Sequence, residues 1–537
     1  MLVWLTIPWF LWELKYVLFW LYLWQLKEYH FGRLRDHFST HKGKKLIFSL
    51  EQEVKLLAFA ILFLSSDSLS WLVYFLWFIY LTEFGLVLRA LYNGSIKRPV
   101  ITIKTVFLTL VSFALVVSFL AVIFSFDDLL QIKNLLAFDL LTPIIISLVV
   151  LFFQPFFIAI RNNALTDARE KLQKIRSVNN LTVVAITGSY GKTSTKEFLA
   201  TMLSKKFKIL ATREHQNSEI GIARCILNEL KPSHQIFIAE VGAYNKGKVK
   251  EVCRMLKPKI GVVTGVNEQH LSLFGSMKNL LLAEGGGELA DVLKQEAGTL
   301  VVNGNNKYCT SLYRKFDGNK KLYSQSNKIL DSDIWSDSIT VHKDHISFLT
   351  INKSGEMSHF NVKVLGAQSA QNLSGATLVA KELGMSFEEI SKACKDIKQE
   401  QAGMTLKQGN YGIEIIDSSY SANPDGVFAD LNYLSIFPRK KVIVMPCLIE
   451  LGNKSLEVHE KIGEKIAGVC DLAIITSKDR FKEIKNGAVR AGMSEKNILF
   501  CEHPEDICSI ITLFCKQDDA VLLEGRVPKE LINLLTK

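Results

Sequence analysis

One stretch, Leu181 to Ala200 (LTVVAITGSYGKTSTKEFLA), leaves few folds open to the chain. A β-branched apolar run, Leu181 to Ile186, breaks into a glycine loop, Thr187 to Gly191, and continues as helical sequence. Short apolar runs flanked by turn formers are the signature of buried parallel strands. In the loop, Gly188 and Gly191 permit positive φ and close backbone approach, so the N–H groups around Ser189 and Tyr190 can point inward at phosphate oxygens. Lys192 supplies a point charge, Thr193 a hydroxyl suited to Mg²⁺, and from Ser194 onward a helix puts the positive end of its dipole at the phosphates. The stretch predicts an α/β fold with a mostly parallel sheet that holds a nucleotide.

The spacing is a variant one, because the general phosphate-loop pattern has a glycine six residues before the lysine and here Ile186 stands there. TGSYGKTSTKE resembles the loop of the Mur ligases, the ATP-dependent amide-forming enzymes of cell-wall synthesis, and most of all their branch that adds D-alanyl-D-alanine to a UDP-linked muramoyl tripeptide. The resemblance implies ATP and Mg²⁺ as cofactors, an acyl-phosphate intermediate, a muropeptide donor and an amine acceptor.

A chain of 537 residues exceeds what one core supports and predicts three or four domains. Hydrophobic residues make up 48% of it and are concentrated before residue 160, so the halves belong to different solvents. All nine cysteines lie at Cys225 or later, with no CxxC pair, which points to reduced thiols rather than zinc or disulfides. The net charge of +11 is compatible with nucleic acid, but the basic clusters flank apolar segments, so anionic lipid headgroups are the partner expected.

Residues 1–160 are read as a transmembrane region of about five spans. Leu2 to Leu26 carries five tryptophans and is either a span or an interfacial helix; it lacks the basic start and cleavage site of a removable signal. Thr105 to Ser125 and Leu135 to Ile160 are each long enough to cross ~30 Å of hydrocarbon. Leu56 to Leu91 is interrupted at Ser65 to Ser68. The basic loops Lys27 to Lys45, with six Lys/Arg against two acids, and Arg89 to Lys104 belong on one side, so two spans turning at Ser65 to Ser68 are expected. The first of them is Leu46 to Leu64. Asp127 and Asp128 then face outward and the chain from residue 161 lies in the cytoplasm of a bacterial cell, behind a multi-pass anchor. Asp139, inside the last span, is either a functional site or a residue near the membrane surface.

Residues 161–180 read as a connecting helix, 181–404 as the ATP-binding domain and 405–537 as a C-terminal Rossmann-like α/β domain. Gln235 to Glu240 is a second strand with a carboxylate at its end, where ligands sit in open α/β sheets, so Glu240 is placed to reach a metal on the phosphates. The resemblance extends over TREHQNSEIG, with Asn217 as a nucleotide-site residue, and over NEQHLSLFGS, with His270 as a metal-site residue. It weakens where the family has a carbamylated lysine that helps bind a second Mg²⁺: Glu284 falls on that position and either substitutes as a hard oxygen ligand or the second metal is lost. In VLGAQSAQNLSG, Asn372 matches, while Gln368 and Ser369 replace a histidine and an asparagine. Asn372 either contacts the nucleotide or caps a helix. Met404 stands where the family has a phosphate-reaching arginine. IIDSSYSANPDG, after a hairpin turn at Gly409-Asn410, carries Asp417 and Asn423 as nucleotide-site residues, with Ser418 in place of a second aspartate. The resemblance covers about Leu181 to Lys537. It implies a ligase on a muropeptide with Lys192, Glu240, His270 and Glu284 in the catalytic group, Thr193 among the metal ligands, and no nucleic-acid partner. Two other readings are a ligase on a lipid-linked or other anionic polymer, and a weakly catalytic nucleotide-binding scaffold for wall enzymes.

Overall fold

The computed structural model describes residues 2–536 apart from 65–69, 214, 215, 244, 327–330 and 421. It divides into two compact units, Met1–Asn162 and Asn163–Lys537.

The first unit is helical: α1 (Leu2–Leu26), two short helices α2 (Phe31–Ser39) and α3 (His41–Ile47), α4 (Leu50–Leu64), α5 (Ser70–Tyr92), α6 (Ile103–Ile123) and the start of α7 (Asp128–Asn179). Four tryptophans of α1 face inward: Trp9, Trp12, Trp20 and Trp24 are buried in one cluster with Leu62, Leu76, Leu108 and Leu136. Large apolar side chains stand exposed on the other helices, among them Phe63, Phe78, Leu110, Val117, Leu148 and Phe152, the distribution expected where the outer solvent is not water. Among the described residues, three helices are long and apolar enough to cross a membrane: Tyr74–Tyr92, Ile103–Ile123 and Leu130–Asn179. Two of the five expected spans fall short of that standard. At 15 residues α4 rises only about 22 Å, and α1 carries Glu13, Lys15 and Gln25. The turn expected at Ser65 to Ser68 lies outside the described residues. The last span and the connecting helix are not separate elements, since α7 runs unbroken for 52 residues through Pro143 and Pro155. The division between the units falls inside it.

The second unit begins with the amphipathic end of α7, where Leu165, Ala168, Leu172 and Ile175 pack into a core with Ile226, Phe237 and Leu256. Nine strands then form the first sheet: β1 (Thr182–Thr187), β2 (Ile209–Ala211), β3 (Ile236–Glu240), β4 (Ile260–Val263), β5 (Thr299–Asn303), β6 (Lys320–Ser324), β7 (Ile334–Val341), β8 (Ile346–Asn352) and β9 (Met357–Val362). Their order is β2-β3-β1-β4-β5-β6-β7-β8-β9, parallel from β2 through β7, with β7, β8 and β9 an antiparallel meander. β1 therefore lies between β3 and β4, and its C-terminal end is flanked by theirs. Strands so enclosed read as continuous apolar runs because both faces are covered. The helix after β1, α8 (Lys192–Leu203), buries Phe198, Leu199, Met202 and Leu203 against one face.

The second sheet holds β10 (Thr405–Gln408), β11 (Glu414–Ser418), β12 (Lys441–Met445), β13 (Leu472–Ile475), β14 (Ile498–Phe500) and β15 (Ala520–Glu524), in the order β10-β11-β15-β12-β13-β14. All neighbours are parallel except β10 and β11. The loop joining that pair spans residues 409–413 with a 3₁₀ turn at Asn410–Gly412, longer than the two-residue hairpin the Gly-Asn dipeptide suggests. Tyr411 supplies its positive φ of 56°.

Candidate active site

The phosphate loop sits at the C-terminal edge of the first sheet, where parallel strands leave backbone groups free for a ligand. Gly188 (φ 141°) and Gly191 (φ 76°) hold its two unusual corners. Neither tolerates a side chain: an added Cβ would lie 2.4 Å from Thr264 Oγ1 at Gly188 and 2.6 Å from Asn372 Oδ1 at Gly191. Gly191 is the residue at which α8 begins, so the first N–H groups of that helix open onto the loop. The loop is pinned from behind by the Ser189 N–H donating to Gly265 O (2.7 Å) and by the Thr264 hydroxyl donating to Tyr190 O. Tyr190 contributes backbone only. Its ring packs on Gly265, its hydroxyl accepts from Asn306 Nδ2 (3.2 Å), and burial pushes that hydroxyl well above its ordinary pKa. Lys192 Nζ rests on the carbonyl oxygens of Gly188 (2.5 Å) and Ser189 (3.4 Å), at the mouth of the loop. The hydroxyls of Thr187 and Thr195 are buried with no partner among the described residues. A cradle of glycines, a lysine at its lip and spare buried hydroxyls fit nucleotide phosphates with Mg²⁺.

The register Ile186↔Glu240 puts Glu240 beside the start of the loop, as the strand-end argument requires. Its Oε1 accepts from Asn217 Nδ2 (3.1 Å), and Asn217 O accepts from the Gly242 N–H (2.9 Å), so Asn217 braces this carboxylate. Sequence reasoning passed over Lys196, which is fully buried, donates to Thr212 O (2.9 Å) and lies 3.7 Å from Glu240 Oε2. Its signal was present: Lys196 follows Lys192 by four residues on α8, hence on the same helix face.

Glu284 is brought directly to the loop. It is 1% exposed, its Oε2 accepts from the Ser189 hydroxyl (3.0 Å), and its Oε1 lies 3.0 Å from His270 Nδ1. His270 Nε2 in turn faces Glu450 Oε2 at 3.6 Å. Glu450 belongs to the C-terminal domain, adopts a positive φ of 68°, and accepts through its carbonyl from the Ser272 N–H (3.0 Å). Ser189, Glu284, His270 and Glu450 thus form a chain from the phosphate loop to the neighbouring domain. Among the described residues no three His, Cys, Asp or Glu side chains gather closely enough to hold a metal alone. Mg²⁺ on a nucleotide needs only one or two protein oxygens beside phosphate and water; Glu240 ends the strand beside the loop and Thr193 lies in the first turn of α8.

Asn372 lies in the second turn of the helix Gln368–Glu382, so it is not a cap; its amide oxygen packs on Gly191. Asn423 does cap a helix, Pro424–Leu434, accepting from the Gly426 N–H (3.1 Å), and its Oδ1 also accepts from Asn267 Nδ2 (2.9 Å). Asn267 donates as well to Asp425 Oδ2 (2.8 Å), whose carboxyl burial pushes upward and this bond partly restores. Asn267 follows Thr264 closely, so these contacts hold the C-terminal domain against the loop region. Asp417 is paired within its own domain. Its partners are Lys407 (2.6 Å) and Ser419 (2.6 Å), and although burial works against its charge, these bonds hold it below the usual carboxylate range.

Two departures from the family pattern prove to be one feature. Gln368 Nε2 and the Ser418 hydroxyl both donate to Asp430, at 3.0 and 2.5 Å. Asp430 adjoins Glu524, whose carboxyl is pushed well above its ordinary range by burial and by the Asp430 charge. Met404, where the resemblance implies an arginine, is 2% exposed and sunk in the C-terminal core with Ile416 and Leu365.

The comparisons with known proteins agree with this architecture. Residues 186–380 match the Mur ligase middle domain and residues 404–527 the Mur ligase glutamate ligase domain. The UDP-N-acetylmuramoyl-tripeptide–D-alanyl-D-alanine ligase of Mycobacterium bovis is 25% identical over 337 residues, covering 61% of this chain and 64% of that one. The enzyme of the same name from Escherichia coli is 27% identical over 289 residues, covering 53% and 63%. The chain thus spans a little under two thirds of the length of these curated relatives. Among solved structures, MurF from Acinetobacter baumannii superposes with a TM-score of 0.61 at 22% identity over 70% of this chain and 80% of that one. MurF from Thermotoga maritima, solved in complex with ADP, gives 0.60 at 23% identity, over 70% and 83%. With both ligase domains matched in order and the same fold recovered, the chain belongs to the Mur ligase family.

Proposed function

We propose that the chain is a membrane-held, ATP-dependent carboxylate–amine ligase acting on a muropeptide precursor of peptidoglycan and joining it to D-alanyl-D-alanine or another amine. The observation that carries this is the grouping of Lys192, Thr193 and Glu240 around a glycine cradle at adjoining strand ends. Glycine backbone and Lys192 grip the β- and γ-phosphates, while Asn217 holds the Glu240 carboxylate in place. Thr193 and Glu240 would hold Mg²⁺, which when bound would neutralise charge on the transferring phosphoryl group. A donor carboxylate oxygen attacks the γ-phosphorus and ADP leaves; the acceptor amine then attacks the acyl carbon, loses a proton and expels phosphate, leaving an amide. Asn372, packed on Gly191, and Asn423, tied to Asn267, line the nucleotide side. Glu284 takes part through Ser189 and His270, either as a hard ligand to a second Mg²⁺ or as the group that fixes the loop. Asp417 completes the C-terminal wall.

The helical unit is a multi-pass anchor in a bacterial cytoplasmic membrane, with α1 and α4 completing the crossings made by α5, α6 and α7 and the ligase domains in the cytoplasm. Its exposed apolar side chains and the basic loop Lys27 to Lys45 support this. A second reading, a lipid-linked muropeptide as donor, is favoured by one observation: the family match begins at residue 186, and apolar helices precede it. ATP consumption by full-length protein in lipid nanodiscs, with UDP-linked or lipid-linked muropeptides and candidate amines, separates these. Turnover only with the lipid-linked donor selects the second reading. Absence of turnover with every pair, despite nucleotide binding, replaces both with a nucleotide-binding scaffold.

A further inference from the structure

Inside the helical unit lies a polar cluster that the ligase chemistry does not use. Four helices contribute: Trp12 and Glu13 from α1, Lys55 from α4, Tyr80 and Glu83 from α5, Asp139 and Thr142 from α7, and the four charged side chains are at most 1% exposed. Asp139 collects three donors. Lys55 Nζ (2.5 Å) and the Tyr80 hydroxyl (2.9 Å) reach its Oδ2, and Trp12 Nε1 (3.2 Å) reaches Oδ1. Lys55 also meets Glu83 Oε1 at 2.6 Å and lies over the Trp12 and Tyr80 rings at 4.9 and 4.8 Å. Glu13 meets only the Thr142 hydroxyl (2.9 Å on Oε2) among the described residues, a hydroxyl equally close to Phe138 O (2.9 Å), and faces Asp139. Glu13 Oε1 and Glu83 Oε2 are buried with no hydrogen-bond partner among the described residues. Lys15, Tyr16 and Glu51 are the other titratable groups facing the cluster, from α1 and α4.

One ammonium and three carboxylates would leave two uncompensated negative charges in a dry interior, a burial cost far above what one cation offsets. Donor count says where the charge stays. Asp139, with three donors, is the ionised partner of Lys55. A Glu13 carboxyl facing an ionised Asp139 meets it without like-charge repulsion only if it carries a hydrogen, and a hydrogen on Glu83 removes the second buried charge that Lys55, already paired with Asp139, leaves uncompensated. We infer that the helical unit contains a two-proton binding site, with one proton on Glu13 and one on Glu83, and that the four-helix packing depends on both being held. This rests on burial within the helical unit and not on the ligase reading.

The test is infrared spectroscopy of the full chain in lipid nanodiscs, or in buffer should it purify without detergent, reading the carboxylic-acid C=O stretch at neutral pH in ¹³C-glutamate-labelled protein. Burial and the Asp430 charge push the Glu524 carboxyl of the ligase unit well above its ordinary range as well, so the Glu524→Gln background is used. Two labelled acid bands are expected, one lost in Glu13→Gln and one in Glu83→Gln. Melting of the helical unit, followed by tryptophan fluorescence, should fall as pH rises in the parent chain and lose part of that slope in each glutamine variant, since glutamine mimics the protonated acid. Asp139→Asn, which removes the charge that three donors serve, should lower the melting temperature at every pH. No labelled acid band at neutral pH in the unmutated cluster, or glutamine variants that keep the full alkaline slope, overturns the inference.

Discussion

Replacing Glu284 with glutamine tests the most distinctive contact of the ligase site. The substitution keeps the shape of a side chain that is 1% exposed but turns one of its two acceptor oxygens into a donor. Oε1 faces His270 and Oε2 takes the Ser189 hydroxyl, each at 3.0 Å, so both contacts lose their charge assistance and one must reverse, the NH₂ group donating to the Ser189 oxygen or to the His270 ring. A hydrogen bond to a buried charge is worth about 1.5–3 kcal/mol. At ~1.4 kcal/mol per tenfold, a loss felt in the transition state lowers kcat/KM roughly 10- to 100-fold. The lost charge also weakens any metal held there, so the variant should need more Mg²⁺ for half-maximal rate. Because no lysine awaits carbamylation, added bicarbonate should leave the unmutated protein unchanged. The assay is steady-state phosphate release across a Mg²⁺ titration, with melting temperature recorded alongside. Ser189→Ala closes a double-mutant cycle and isolates the hydroxyl's share. A glutamine variant equal to the parent in rate and melting temperature at every Mg²⁺ concentration would refute the reasoning.

Lys192→Ala should abolish ATP-dependent turnover while the protein stays folded and in the membrane fraction, because this lysine serves phosphate charge at a loop mouth; circular dichroism and fractionation check the second half. Glu524→Gln should resist alkaline unfolding of the ligase unit better than the parent. A buried carboxyl whose folded pKa lies above its unfolded one costs no stability below the unfolded value and progressively more as pH rises toward the folded value, so the gap in melting temperature should widen with pH from mildly acidic to alkaline. A cysteine placed at position 128 should react with an impermeant reagent in intact cells, as the proposed topology and the charge asymmetry of the flanking loops require; the helical unit has no cysteine of its own to interfere.

What could be read before the structure was what local physics fixes. Leu181 to Ile186 announced a buried strand and the observed β1 is displaced by a single residue, because apolarity on both faces leaves little choice. Glu240 reached the loop for a similarly local reason, its place at the end of a neighbouring parallel strand. The Ser189–Glu284–His270–Glu450 chain was not legible, since it joins residues from four separate segments through side-chain reach alone. Gln368 and Ser418 looked like two losses from the family pattern, and only the fold brings them both to Asp430. The meander of β7, β8 and β9 was missed because its strands, half-exposed and alternating, carry weaker signals than a buried run. At the junction of membrane and ligase portions, the shift from apolar to polar sequence suggested two elements; helical periodicity continues across it, and composition alone says nothing about where a helix stops.

The central claim is that a donor carboxylate attacks the γ-phosphate in the cradle formed by Gly188, Gly191 and Lys192. Turnover of a muropeptide whose reacting carboxylate is labelled with ¹⁸O tests it most directly, with the released phosphate analysed by mass spectrometry. One labelled oxygen should move from the carboxylate into each phosphate, since that oxygen bridges carbon and phosphorus before the amine displaces it. Amide formation with every labelled oxygen absent from the phosphate would contradict the account.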